Sequence, residues 1–177
     1  MAQTSPMQSS RQPMTEPRWV PGVFRRFRRT GRPTAVIHCT QEIPCNPCEE
    51  ACPHGAIRIG PRISRRPILN RNKCTGCGLC IPVCPGLAIR VIDRTYSSEY
   101  ARVKIPHEFL PTPTRGDYVT VQDGAGKRLC AARVLDVINP SRNDRTAVVD
   151  LAVPQALANE AMSIALAGKG GRWIQQP

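Results

Sequence analysis

The chain has 177 residues, 41% of them hydrophobic and only 5% aromatic, and a formal charge of +12. That is enough apolar material for one domain or two small ones, yet no apolar run nears the roughly 20 residues a membrane-crossing helix needs. Eighteen prolines point to short elements and many turns.

Residues 1–33 are rich in Pro, Gln, Ser, Thr and Arg and show no periodicity, which predicts a disordered basic arm. Seven Arg and one Glu in the first 35 residues supply half of the excess charge. Phe24-Arg25-Arg26-Phe27-Arg28-Arg29 has the look of a twin-arginine export signal. It is followed by Thr30-Gly31-Arg32-Pro33 rather than an apolar stretch, so the chain is expected to be cytoplasmic. In that compartment nine cysteines argue for metal or redox chemistry rather than disulfides.

From Thr34 the character changes. Ala35-Val36-Ile37 reads as a strand leading into a first cysteine group, and Ala56-Ile57-Arg58-Ile59-Gly60 as an alternating strand after it. Pro67-Ile68-Leu69-Asn70 leads into a second cysteine group, and Ala88-Ile89-Arg90-Val91-Ile92 closes the module. Cys52-Pro53-His54-Gly55-Ala56-Ile57 aligns with Cys84-Pro85-Gly86-Leu87-Ala88-Ile89, an internal repeat of strand, cysteine loop, short helix and strand. Neither half would bury enough apolar surface alone, so the two are expected to pack about a pseudo-twofold axis over residues 34–95.

Residues 96–177 carry no such groups. Glu99 to Ile105, Tyr118 to Gln122, Leu129 to Ile138 and Thr146 to Val153 read as strands, and Asp123-Gly124-Ala125-Gly126 as a tight turn. Pro154 suits a first helical position, good helix formers follow over residues 155–167, and Gly168 suits a C-cap. The expected class is therefore α+β: a pseudo-twofold module around the two cysteine groups, then a small antiparallel β domain with a C-terminal helix.

The second cysteine group is Cys74-x2-Cys77-x2-Cys80-x3-Cys84-Pro85, the spacing of bacterial 4Fe–4S ferredoxins. Three thiolates two residues apart, on a loop around one corner of a cube, can each reach a separate iron. Gly76 and Gly78 let the backbone curl close. The first group, Cys39-x5-Cys45-x2-Cys48-x3-Cys52-Pro53, departs only in its longer first gap. In two-cluster ferredoxins the fourth cysteine of a run ligates the other cluster. The expected sets are Cys39, Cys45, Cys48 and Cys84 for one cluster, and Cys74, Cys77, Cys80 and Cys52 for the other.

A four-cysteine zinc module is the chief rival. Structural zinc usually draws paired ligands from two hairpins, whereas each group here puts three cysteines within seven or ten residues and ends in Cys-Pro. Cys130 is read as a buried apolar residue, and His38 as a surface side chain. No catalytic constellation stands out, so a non-catalytic electron-transfer subunit is expected.

Residues 36–93 resemble two-cluster bacterial ferredoxin domains. More narrowly, Cys39-Thr40-Gln41-Glu42-Ile43-Pro44-Cys45-Asn46-Pro47-Cys48-Glu49 and Ile105-Pro106-His107-Glu108-Phe109-Leu110-Pro111 are similar to iron–sulfur subunits of multi-subunit FAD-dependent amino-acid dehydrogenases, of the proline, hydroxyproline or sarcosine type. This resemblance implies a hetero-oligomer in which flavoprotein subunits oxidise the substrate and this chain relays electrons. The alternative of another class is a nucleic-acid-binding protein with structural clusters. The arm and charge fit it; the scarcity of stacking aromatics and the lack of a basic helical stripe do not.

Overall fold

The computed structural model describes residues 31–166. Most of the arm expected over residues 1–33, and the cap expected at Gly168, lie outside them. In chain order the elements are β1 (Thr34–Ile37), α1 (Pro47–Glu50), β2 (Ile57–Arg58), β3 (Ile68–Leu69), β4 (Ile89–Asp93), β5 (Tyr100–His107), β6 (Tyr118–Gln122), β7 (Arg128–Ile138), β8 (Ala147–Pro154) and β9 (Ser163–Leu166). The regular structure among the described residues is thus almost all strand, with a single four-residue α-helix and one 3₁₀ turn at Ser141–Asn143. The short helix expected after the second cysteine group is absent there; residues 79–86 form turns.

Seven strands form one antiparallel sheet in the order β1-β4-β5-β8-β7-β6-β9, and β2 pairs with β3 in a separate hairpin. The boundary expected at residues 95 and 96 therefore runs through a continuous sheet, with Val91 opposite Lys104 and Ile92 opposite Val103. The reason is physical: β4 would otherwise leave a row of unpaired amides and carbonyls, and β5 satisfies them. Two cores nonetheless persist. One gathers Ala35, Ile57, Ile59, Ile81, Ile89 and Val91 with the cysteines. The other gathers Val103, Ile105, Val121, Val134, Leu151 and Val153. Side chains alternate faces along β4, so Val91 serves the first core and Ile92 the second.

The helix expected over residues 155–167 is not formed in the described part. Residues 155–160 make turns, and Ser163–Leu166 is the edge strand β9, paired with β6. Helix propensity loses here because the carbonyls a helix would use are already taken. Arg94 donates to the Gln155 carbonyl at 2.8 Å, and Arg90 donates to the carbonyls of Asn159 and Ala161. The Gln155 amide in turn donates to the carbonyls of Arg94, Ser97 and Tyr100. Ser163–Leu166 then covers the free edge of β6.

Asp150 in β8 is fully buried and held by Arg102 of the neighbouring β5, whose Nε and Nη2 both donate to Oδ2, at 2.7 and 2.6 Å. Oδ1 has no partner. Burial raises the carboxyl's pKa above its ordinary value, against the pull of Arg102 and Lys104. Arg102→Met should cost about 3 kcal/mol, the low end for a broken buried pair because Arg102 still meets solvent. The sign with pH follows from the raised folded-state pKa. The folded chain keeps its proton longer than the unfolded one, so stability is lost as pH rises through that window and regained as it falls. The deficit of Arg102→Met relative to wild type, read from denaturant melts, should shrink as the pH drops below 7.

Candidate iron–sulfur centre

Each cysteine group sits on a loop anchored by a strand. β1 delivers Cys39 and β3 delivers Cys74, while the turns after Cys52 and Cys84 lead back into β2 and β4. In both returns an amide four residues on donates to the thiol: Ala56 N to Cys52 Sγ at 3.3 Å and Ala88 N to Cys84 Sγ at 3.4 Å. A third such bond runs from Ala35 N in β1 to Cys74 Sγ at 3.4 Å. Gly76 and Gly78 have φ of 70° and 85°, the left-handed conformation that curls the second loop. At Cys52, Cys74 and Cys84 the amides within 3.4 Å of sulfur are those of the three alanines rather than of these glycines.

The eight cysteines ring two cavities. One, of about 180 Å³, is lined by Cys39, Cys45, Cys48 and Cys84. A narrower one, of about 20 Å³, is lined by Cys52, Cys74, Cys77 and Cys80. In each, three cysteines come from one group and the fourth from the other. The electrostatics divide the same way. Burial pushes the Cys48 thiol up to about 11, and the Cys84 and Cys45 thiolates add to the effect. Burial likewise pushes Cys80 up to about 12, with Cys77, Cys74 and Cys52 as its charged neighbours. For Cys52 burial acts upward, but the amides of Ala56, His54, Ile57 and Gly55 together bring the thiol below its ordinary value.

The donor set suits iron–sulfur clusters. Four thiolates crowded in a half-buried cavity repel one another, and a cationic iron–sulfide core removes that repulsion. Among the described residues no three His, Cys, Asp or Glu side chains close on a single metal ion. The thiols surround volumes rather than points. The second cavity is the tighter fit, and its cysteines must spread to take a cube.

Cys130 lines neither of these two cavities. It lies on β7 opposite Val121, half-buried against the β core, and burial pushes its thiol up to about 11. Cys130→Ser should leave the iron and sulfide content unchanged and cost about 1 kcal/mol of stability. Loss of iron in that variant would redraw the ligand set.

Arg90 is the residue that the sequence concealed, and its pairing with His38 was concealed with it. Arg90 in β4 is fully buried, and its guanidinium donates to His38 Nε2 as well as to the two carbonyls of the 159–161 segment. His38 is exposed, the surface side chain expected, yet it lines the larger cysteine cavity, and partial desolvation together with the Arg90 charge lowers its pKa. A neutral ring with its proton on Nδ1 accepts the Arg90 hydrogen bond. The alternating pattern of β4 would point Arg90 at solvent, and nothing local in sequence shows that residues 159–161 cover that face.

Comparison with known proteins agrees with this geometry. Residues 37–88 match the family model of the 4Fe-4S dicluster domain. Over 49 residues the chain is 41% identical to a component of the ion-translocating oxidoreductase complex of Methanosarcina acetivorans, covering 28% of this chain and 17% of that protein. It is 38% identical over 53 residues to the ferredoxin-type protein NapF of Haemophilus influenzae, covering 29% and 30%. It is 32% identical over 69 residues to the polyferredoxin-like subunit of an aliphatic sulfonate oxidoreductase from Pyrococcus furiosus, covering 39% and 37%. The chain thus spans well under half the length of these relatives. No solved structure gives a significant match.

The chain contains a ferredoxin-type 4Fe–4S dicluster domain. It carries two 4Fe–4S clusters. Among the described residues no helix is long and apolar enough to cross a membrane.

Proposed function

We propose that this chain is an electron-relay subunit of a hetero-oligomeric oxidoreductase, exchanging single electrons with a flavoprotein dehydrogenase. Cys39, Cys45, Cys48 and Cys84 hold the first cluster, and Cys74, Cys77, Cys80 and Cys52 the second. The observation that carries this reading is the pair of cavities, each ringed by three cysteines of one group and the fourth of the other. The exchange of the fourth ligand ties the two halves together, in keeping with a pseudo-twofold module, and brings the clusters close enough for electron hopping. β1 of the first half pairs with β4 of the second, and β2 with β3, which supports the same arrangement.

Two similar proteins are by name subunits of larger oxidoreductases, which supports the hetero-oligomer. The flavoprotein partner rests on the resemblance of residues 39–49 and 105–111 to iron–sulfur subunits of FAD-dependent amino-acid dehydrogenases. A flavin reduced by two electrons can discharge into two one-electron clusters in succession. The chain's own residues supply the thiolates, the alanine amides that stabilise charge on sulfur, and the β sheet that holds both loops at fixed spacing. Purification without oxygen should give about eight iron and eight acid-labile sulfide per chain, with coupled paramagnetic signals from two reduced clusters. Co-purification from the native host should bring down a flavin-containing chain. Zinc without sulfide would overturn the cluster assignment; full iron with no flavoprotein would overturn the partnership.

A further inference from the structure

The segment that joins the two cysteine groups has a composition unlike the rest of the module. Between residues 56 and 73 it carries Arg58, Arg62, Arg65, Arg66, Arg71 and Lys73, and no acidic residue. All six cations are exposed. Among the described residues only Arg66 has a carboxylate partner, Glu42 at 3.8 Å, and both of those side chains are more than half exposed. The other five make no ion pair among the described residues.

The fold turns this segment into a surface beside the first cluster's cavity. Strands β2 and β3 place Ile57 opposite Leu69 and Arg58 opposite Ile68. Ile57 is buried and Leu69 half-buried against the cysteine core, so the other face presents Arg58 and Ile68 together. Ile68 is 71% exposed and Ile63, in the connecting loop, 52%. The loop is fastened to the ligand loop by the Cys45 amide, which donates to the Ile63 carbonyl at 3.3 Å. Arg65, Pro67 and the exposed Ile43 line the cavity itself. Exposed isoleucines ringed by unpaired arginines next to a redox centre have the anatomy of a docking site, an apolar centre with a charged rim.

We propose that the β2–β3 hairpin and its loop are the docking surface for an acidic redox partner, which exchanges electrons with the cluster held by Cys39, Cys45, Cys48 and Cys84. This rests on the flavoprotein reading above and adds to it the partner's charge and the cluster that meets it first. Charge complementarity sets the occupant. Five uncompensated cations steer an acidic surface and speed its encounter, at a rate that falls with ionic strength.

The test uses the full-length holoprotein, photoreduced flavodoxin as an acidic flavoprotein donor, and cytochrome c as a basic control, followed by stopped flow. Each productive encounter with flavodoxin takes one electron from its reduced flavin and reduces one cluster. Wild-type reduction should slow as salt is raised from low to physiological concentration. The Arg62→Glu/Arg65→Glu variant, with unchanged iron content, should be slower at low salt by about ten-fold or more. Ile68→Ser should slow it as well, while keeping its salt dependence. Electron transfer from the dithionite-reduced variant to cytochrome c should be faster than from wild type. The arm is constant across these proteins, so the differences read the hairpin. Equal flavodoxin rates in wild type and the charge-reversed variant overturn the docking surface and leave the flavoprotein reading standing. Failure of flavodoxin to reduce any of them, when dithionite reduces all, counts against the flavoprotein reading itself. Retention of random duplex DNA that the charge reversal abolishes, at an unchanged flavodoxin rate, would assign the surface to nucleic acid and overturn the proposal.

Discussion

Cys84→Ser should abolish the same cluster signal as Cys39→Ser, and not the one abolished by Cys80→Ser. By position Cys84 belongs to the second cysteine group, yet it lines the cavity of Cys39, Cys45 and Cys48, and its charge is felt at Cys48. Cys52 is the mirror case, lining the cavity of Cys74, Cys77 and Cys80. Each of the four variants, Cys52→Ser included, should retain about four iron per chain rather than about eight. Spectra of the reduced proteins then sort them into two classes, Cys39 with Cys84 and Cys52 with Cys80. Magnetic coupling between clusters should disappear in every variant, because only one remains. If Cys84→Ser spared the Cys39 signal and erased that of Cys80, each group would hold its own cube and the two halves would be independent. Cys80 carries a second consequence. It is 7% exposed in the core beside Ile81, so its loss also strips a ligand from the best-packed part of the module.

The cysteine chemistry was legible because cluster ligation is local: three thiols on one loop need a fixed spacing, and spacing is what a sequence displays. Turn chemistry was legible for the same reason. At the β6–β7 turn the Asp123 carboxylate accepts from the amides of Ala125 and Lys127, and Gly126 takes φ of 80°. Strand β6 lies where its alternation places it, at Tyr118–Gln122. What stayed hidden depends on partners distant in the chain. Nothing local in Ile89–Asp93 says that β5 will extend its sheet, or that residues 159–161 will cap Arg90. The same contact misled the reading of residues 155–167, whose composition favours a helix until arginines from β4 and its end take their carbonyls. The bond from Arg90 to the exposed His38 was hidden for the same reason.

Gly76→Ala should destabilise the second cluster far more than Gly78→Ala does, although both glycines lie in the same loop with φ in the left-handed region. A side chain there costs about 1–2 kcal/mol by itself. Gly78 has little else against it: a Cβ would meet Ile81 Cδ1 at 3.5 Å and Lys104 Cδ at 3.8 Å, both ordinary contacts. At Gly76 the added carbon would run into Pro33, against its Cβ and against its carbonyl carbon and oxygen at 2.7 Å. Two of those atoms are backbone and cannot swing aside. Relief requires residues 31–34 to lift off the cysteine loop. That motion pulls the Ala35 amide away from Cys74 Sγ, now 3.4 Å distant, and opens the buried side of the site. Gly78→Ala should therefore keep both clusters and lose about 1 kcal/mol. Gly76→Ala should lose about 3 kcal/mol or more, and under anaerobic chelator challenge it should release the iron of one cluster well ahead of the other. The cluster that survives should be the one that Cys80→Ser also spares. Equal iron release from both glycine variants would show that Pro33 is free to move and that β1 does not brace the second loop.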